Sequence, residues 1–295
     1  MKLRRTMMFV PGNNPGMLIN AGIYGADTII FDLEDSVALS EKDAARHLVY
    51  NAMKSISYSC EVAVRINHIS TPFGYKDLET ILAVKPDLIR LPKAETAADI
   101  EEIDELITAA EIKHGFLPGS INMMAAIETA KGIRNAYDIA AASPRMVVIA
   151  IGGEDYLADL QTSRTKDGKE FFAGRGQLIL AAREAGIHAI DTVFGDVNNE
   201  EDFIAETTRI KEMGFDGKSV VNPRQINIVH EIYTPTGKEI DHAQRVIAAY
   251  EESLTRKSGV VSLNGKMIDI PVVKRAQRTL AYANAVGKNE GGTTL

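Results

Sequence analysis

A single cysteine, Cys60, stands among the 295 residues, so the chain can form no internal disulfide and suits a reducing compartment. A lone cysteine leading into a strand reads as packing rather than as a nucleophile. Histidine is sparse too: His47, His68, His114, His188, His230 and His242 show no metal-ligand spacing, which argues against zinc. Basic charge is short. With 33 Lys and Arg against 40 Asp and Glu, the net charge of −7 argues against a nucleic-acid partner. No apolar run approaches the roughly 20 residues of a membrane span. The apolar run near the N-terminus is too short for a signal-peptide core and is stopped by Pro11-Gly12. No Gly-rich dinucleotide fingerprint follows the first apolar run. Gly217-Lys218-Ser219 resembles the tail of a phosphate loop, but Glu212 stands where the first glycine belongs, and the motif precedes a strand. Ser219 lacks a nucleophile-elbow setting, so a Ser-His-Asp triad has no support. These absences leave a protein expected in the cytoplasm, acting on small molecules, with no membrane partner.

What is present is globular, with 45% hydrophobic and 25% charged residues. Short apolar runs alternate with helical patterns and predict eight strands: Met7–Val10, Thr28–Phe31, Val62–Ile66, Leu88–Leu91, Met123–Ile127, Met146–Ile151, Ala189–Val193 and Ser219–Val221. Ser40-x-x-Asp43 and Thr96-x-x-Asp99 predict helix starts, and Asp99–His114 reads as an outer amphipathic helix. Strands alternating with helices mean a parallel sheet, and this many units favour a (β/α)8 TIM barrel over an open doubly wound sheet. The barrel is expected over residues 1–232. Residues 233–295 read as a C-terminal helix–hairpin–helix extension that caps a barrel, its own or a neighbouring subunit's. Thr236-Gly-Lys-Glu239 is a capping box for a helix through about Arg256, Asn264-Gly265 is a hairpin signal, and Pro271 starts a helix through Ala285. Residues after Gly287 are expected to fray.

Barrel enzymes work at the C-terminal ends of their strands. Strand two runs into Glu34-Asp35, strand five into Glu128, and strand six into Glu154-Asp155. Strand three carries Arg65, strand four ends in Arg90-Leu-Pro-Lys93, strand seven contributes Asp191, and strand eight ends in Asn222-Pro-Arg224. Unpaired buried carboxylates are costly, so several at one barrel end call for a cation. Without histidines nearby, the oxygen-seeking Mg²⁺ is the expected one, with Glu128 and Asp155 as its ligands. One such acid alone would serve an ion pair as readily as a metal. Glu34 and Asp35 are expected to hold metal-bound water or to position Arg and Lys partners. Arg65 suits a bidentate grip on a substrate carboxylate, a salt bridge to Glu34 or Asp35, or both. Lys93, beside so many acids, reads as charged electrostatic support rather than a Schiff-base nucleophile. Gly152-Gly153 is read as room for close backbone approach to a ligand.

These residues resemble the aldolase and citrate lyase family, and within it the β subunits of citrate lyase. The resemblance covers nearly the whole chain. It is carried by Met8-Phe-Val-Pro-Gly12, Phe31-Asp-Leu-Glu-Asp-Ser-Val-Ala38, Val64-Arg-Ile-Asn67, Arg90-Leu-Pro-Lys93, Ala126-Ile-Glu128, Gly153-Glu-Asp-Tyr156 and Phe215-Asp-Gly-Lys-Ser219. Asn222-Pro-Arg-Gln225 and Val261-Ser-Leu-Asn-Gly-Lys-Met-Ile-Asp269 are closer to the β subunits themselves. Many acyl-CoA lyase relatives have His where this chain has Asn222, which speaks against the CoA-ester branch.

The resemblance implies a trimeric or larger assembly of barrels that cleaves a citryl thioester to oxaloacetate and an acetyl thioester by retro-Claisen chemistry. Glu128 and Asp155 match the residues that hold Mg²⁺. Arg65 matches the substrate-carboxylate arginine, with Glu128, Lys93 and Asn222 also at the substrate. Asp269 matches an aspartate that a C-terminal segment delivers to a neighbouring subunit's site; by itself it is an acid just past a hairpin. The implied partners are an acyl carrier protein (γ) subunit bearing the thioester and an acyltransferase (α) subunit. The rivals are a malyl- or citramalyl-CoA-type lyase, a non-catalytic barrel scaffold, and a metal-dependent aldolase for free hydroxy-oxo acids.

Overall fold

Alternation of small or branched apolar residues makes each predicted run a buried strand, one face turned to the barrel interior and the other to the surrounding helices. In the computed structural model, which describes residues 1–255, 261–263 and 266–287, those strands are β1 Thr6–Pro11, β2 Thr28–Asp32, β3 Glu61–Arg65, β4 Leu88–Leu91, β5 Asn122–Ile127, β6 Met146–Ile151, β7 His188–Asp191 and β8 Gly217–Val220. Each pairs in parallel with the next, and β8 returns to β1 to close the barrel. The predicted (β/α)8 TIM barrel is therefore the observed fold. Strand ends move by no more than two residues, as where Ser219–Val221 becomes Gly217–Val220.

Met7, Ile30, Ala63, Leu88, Met124, Val148, Ala150 and Ile190 fill the interior. The residue two positions further along each strand faces the same way but higher, where the interior plug ends and the mouth begins.

Local signals set the helix boundaries. Thr96 and Asp99 form the reciprocal capping box that opens Ala97–His114, and Gly115 closes that helix in the left-handed conformation at φ 71°. Ser40 does not cap a helix: a 3₁₀ turn, Leu39–Glu41, takes its place, and the α-helix Lys42–Ser55 follows from Glu41 with no side-chain cap. Lys42 is buried instead, its Nζ donating to the carbonyls of Leu33 and Glu34 and so fixing the loop after β2. Cys60 is half-buried, and burial pushes its thiol pKa up, as suits a packing residue.

Asp191 also departs from expectation. It lies on the outer face of β7, not at the mouth, where Arg175 grips it through two hydrogen bonds of 2.8 and 2.9 Å and Lys218 adds a third of 2.8 Å. Burial opposes its ionisation, but Lys218 and Arg175 overcome that and hold its carboxyl below the usual range. Lys218, the lysine of the apparent phosphate loop, is spent entirely on this cluster, which also includes Glu206.

The chain divides into two compact units, Arg4–His230 and a second made of Met1–Leu3 with the residues from Glu231 onward. In the second, Thr236 and Glu239 cap the helix Gly237–Thr255 as expected. Strands β9 Val261–Leu263 and β10 Lys266–Ile268 pair antiparallel. The expected turn at Asn264-Gly265, the helix end at Arg256 and the tail after Gly287 lie outside the described residues. Asp269 N-caps the helix Ile270–Ala285, its Oδ1 accepting from the Val272 N–H at 3.1 Å. Ala243, Val246, Ile268, Val273 and Ala276 give this unit a small core of its own. No helix of the described residues is long and apolar enough to cross a membrane.

The N-terminal end of the barrel is held by Glu111, fully buried at the end of its helix. It accepts from Arg145 at 2.7 and 2.9 Å and from the backbone N–H groups of Gly119 and Ile121, both at 2.8 Å. Burial raises its pKa, but Arg145 and these N–H groups prevail and bring it down to about 2. Removing the acid leaves the buried Arg145 with Asp104 as its one charged partner and frees two backbone N–H groups, so Glu111→Ala is expected to cost about 3 kcal/mol by denaturant unfolding. Because the folded pKa is depressed, the contribution is complete above the ordinary value of 4.5 and lost as pH falls toward about 2. An acid titration of stability should lose this component in the Glu111→Ala variant.

Candidate active site at the barrel mouth

Following the interior face of each strand upward leads to a cleft of about 350 Å³ at the C-terminal end of the barrel. Asp32 lies two residues past Ile30, Arg65 two past Ala63, Arg90 two past Leu88, and Glu128 four past Met124. All four line the cleft, with Phe9 from β1 and Asp155 from the turn after β6.

Asp32, which the sequence reading passed over for Glu34 and Asp35, is the main partner of Arg65. The two occupy matched positions on β2 and β3. Arg65 Nε donates to Asp32 Oδ1 at 2.7 Å and Nη2 to Oδ2 at 2.8 Å, a bidentate fork. Burial works against ionisation of Asp32, yet the Arg65 bonds hold its carboxyl at about 2. Arg65 keeps one edge for the expected acids: Nη1 lies 3.0 Å from Glu34 Oε2 and 3.3 Å from Asp35 Oδ2. Burial disfavours the charged guanidinium, but these carboxylates raise its pKa and keep it cationic.

Glu128 has the opposite environment. It is 2% exposed, its Oε2 has no hydrogen-bond partner, and burial pushes its pKa up to about 8 despite Arg90 and Arg65 nearby. Burial likewise raises Glu34 to about 7, against the pull of Arg65. Lys93 spans the gap between sites, with Nζ 3.6 Å from Asp155 Oδ2 and 3.8 Å from Glu34 Oε1. Partial burial lowers its pKa, but Asp155 and Glu34 outweigh that and keep it charged, as expected for a supporting cation. Its φ of 52° is a left-handed conformation that a lysine adopts at a cost, of the kind found at functional sites.

Mg²⁺ fits this donor set. A buried carboxylate oxygen without a donor and a second carboxylate held by a lysine ammonium both call for a cation. Mg²⁺ takes one or two protein carboxylates and completes its octahedron with water and substrate. No group of three or more His, Cys, Asp or Glu side chains is arranged as a full metal cage among the described residues.

Gly152 and Gly153 line the cleft, and Gly152 has a further role. A Cβ there would stand 2.5 Å from Glu128 Oε1 and closer still to its Cγ. The glycine makes room for the carboxylate. A Cβ on Gly153 would strike Thr192 Oγ1, which accepts from the Gly153 N–H at 2.9 Å. Asn222, expected at the substrate, is turned to its own loop, where Oδ1 accepts from the Arg224 N–H at 3.0 Å. It does not line the cleft. Gln225 stitches the β8 loop to the β7 loop, accepting from Val221 and Asn222 and donating to the Phe194 carbonyl. Asp269 belongs to the other compact unit.

The chain matches the family described as HpcH/HpaI aldolase/citrate lyase over residues 5–223. It is 55% identical to the citrate lyase subunit beta of Leuconostoc mesenteroides subsp. cremoris, with 96% of this chain and 94% of that one aligned. A (3S)-malyl-CoA thioesterase of Cereibacter sphaeroides is 35% identical over 96% of this chain and 95% of its own. Among solved structures, CitE of Mycobacterium tuberculosis in complex with magnesium, acetoacetate and coenzyme A superposes with a TM-score of 0.77 at 31% identity, covering 96% of this chain and 98% of that one. A citrate lyase beta subunit of the same organism, complexed with oxaloacetate and magnesium, gives 0.67 at 32% identity over 80% of this chain and all of its own.

Gly152→Ala is expected to fold and yet lose about 10²-fold in turnover, because Glu128 must shift by an ångström-scale step. Unchanged turnover with an unchanged thermal midpoint would show that Glu128 tolerates the displacement.

Proposed function

Because the chain belongs to the HpcH/HpaI aldolase/citrate lyase family, we propose that it is a Mg²⁺-dependent carbon–carbon lyase that cleaves a citryl thioester to oxaloacetate and an acetyl thioester. The observation that carries this reading is the buried Glu128 carboxylate with an unpartnered oxygen, set in the same cleft as Asp155 and Arg65. The identity to citrate lyase beta subunits, against 35% for a malyl-CoA thioesterase, supports the citryl over the malyl substrate. The same relatives support a multi-subunit assembly. The proposed partners are an acyl carrier protein that presents the thioester and an acyltransferase subunit, with this chain as a homo-trimer.

In this mechanism Glu128 and Asp155 would hold Mg²⁺. When bound, the ion lowers the pKa of the substrate's tertiary hydroxyl and orients the bond to be broken. Arg65 offers Nη1, which it shares with Glu34 and Asp35, to the carboxylate beside that hydroxyl, while Asp32 fixes the guanidinium plane from behind. Lys93 holds Asp155 and Glu34 apart and offsets their charge. Glu34 takes the hydroxyl proton, directly or through water shared with Asp35, as the C–C bond breaks. The electron pair of that bond passes to the thioester as an enolate, whose carbon then takes a proton. Asp269 of a neighbouring copy is the proposed source of that proton.

The deciding assay is oxaloacetate release from a citryl thioester, with Mg²⁺ and with excess chelator, beside malyl-CoA. Chelator-sensitive cleavage of the citryl substrate alone is expected; cleavage of malyl-CoA alone would move the protein to the CoA branch. Glu128→Ala should abolish turnover while leaving the thermal midpoint unchanged or raised, since a poorly solvated buried carboxyl is removed. Glu34→Gln should lower kcat by about 10²–10⁴-fold. If Asp269 acts across subunits, co-refolding Asp269→Asn with Glu128→Ala will restore activity that neither has alone; no recovery would confine Asp269 to its capping role.

A further inference from the structure

Arg65 and Arg90 are directly opposed on β3 and β4, and both guanidiniums lie over the Phe9 ring, at 4.9 and 5.1 Å from its centroid. Like charges in register on neighbouring strands repel. Arg65 is compensated by Asp32, Glu34 and Asp35. Arg90 is not. It is 2% exposed and its Nε has no hydrogen-bond partner. Its one side-chain hydrogen bond among the described residues is a weak donation from Nη1 to Met124 Sδ at 3.7 Å. Burial lowers its pKa to about 10, and the neighbouring Arg65 adds to the effect. A buried guanidinium without an ion-pair partner is costly, and it lines the same cleft as Glu128 and Arg65. No packing requirement explains it: the residue below it on the same face is Leu88, and a hydrophobic residue would fill the layer at lower cost.

We propose that Arg90 binds the second free carboxylate of the substrate, the one on the CH₂ arm of the oxaloacetyl half, and thereby selects citryl over malyl thioesters. This deepens the function proposed above and rests on it. A citryl thioester carries two free carboxylates, one on the carbon bearing the hydroxyl and one on that arm. A malyl thioester has only the first. Arg65, through the Nη1 it shares with Glu34 and Asp35, serves the first carboxylate. Arg90, which has no carboxylate of its own, meets the second, and the substrate supplies the ion-pair partner that the fold withholds.

The test compares two product-side ligands in the presence of Mg²⁺: oxaloacetate, with both carboxylates, and pyruvate, which lacks the second. Their affinities are measured by calorimetry on the wild-type protein and on Arg90→Met, Arg90→Gln and Arg90→Lys, each checked for folding by its thermal midpoint. In the wild type oxaloacetate should bind about 10- to 100-fold more tightly than pyruvate. Arg90→Met and Arg90→Gln should erase that difference by weakening oxaloacetate alone, and Arg90→Lys should restore part of it. Equal affinities in the wild type would overturn the proposal even if no variant folds, as would an equal loss for both ligands in the variants. Citryl-thioester cleavage by the wild type is assayed in parallel. Its absence would count against the proposed function, while the oxaloacetate-to-pyruvate ratio still judges Arg90.

Discussion

The bidentate pair between Asp32 and Arg65 organises the barrel mouth. It joins β2 to β3 at their last matched residues and also shapes the loop beyond. Asp32 Oδ1 accepts from the Glu34 N–H at 2.9 Å and Oδ2 from the Ser36 N–H at 3.0 Å, so the carboxylate that orients the arginine also sets where Glu34 and Asp35 stand. Buried ion pairs contribute little net stability, but removing one member leaves an uncompensated charge. Here that charge would be an Arg65 guanidinium held only by Glu34 and Asp35 on its Nη1 side. The pair therefore buys geometry more than stability: a fixed guanidinium plane whose Nη1 side faces Glu34 and Asp35.

The two ends of the barrel handle buried charge in opposite ways. At the N-terminal end and on the outer face of β7, every acid is matched: Glu111 with Arg145, and Asp191 with Arg175 and Lys218. At the mouth, Glu128 keeps an oxygen without a donor and Arg90 keeps an Nε without an acceptor. Both sit in the same cleft without forming a hydrogen bond to each other. The backbone at Gly152 helps to fix where the Glu128 carboxyl stands. The carboxylate of Glu128 is seated against a backbone position that has no side chain to push it aside.

Much of this was legible in the sequence, because short apolar runs and the acids that end them survive as patterns. All eight strands, the Thr96 and Thr236 capping boxes, and the placement of Arg65 and Glu128 at the mouth follow from them. What was missed came from reading strand ends as groups instead of applying the two-residue period through each end. Asp32 shares a face with Ile30 and Arg90 with Leu88, so both belong to the interior. Asp191 falls on the other face from Ile190 and so turns to the helices. The role of Gly152 was out of reach, since it depends on a carboxylate from the neighbouring strand. Ser40 failed as a cap because the chain first makes a 3₁₀ turn, which no three-residue spacing encodes.

The charges around the cleft lead to a last consequence. Asp32, Asp35, Glu128, Glu154 and Asp155 line the cleft with Arg65 and Arg90, and Glu34 and Lys93 stand beside them, so full ionisation would set six acids against three bases. Burial raises Glu34 to about 7 and Glu128 to about 8, so these two keep their protons well above the ordinary carboxylate range. Under the proposed function, a divalent cation would offset most of the acid excess. Glu128 would have to give up its proton to bind it, because the ligand must be the carboxylate. Metal affinity and proton release would then be two faces of one equilibrium at the barrel mouth.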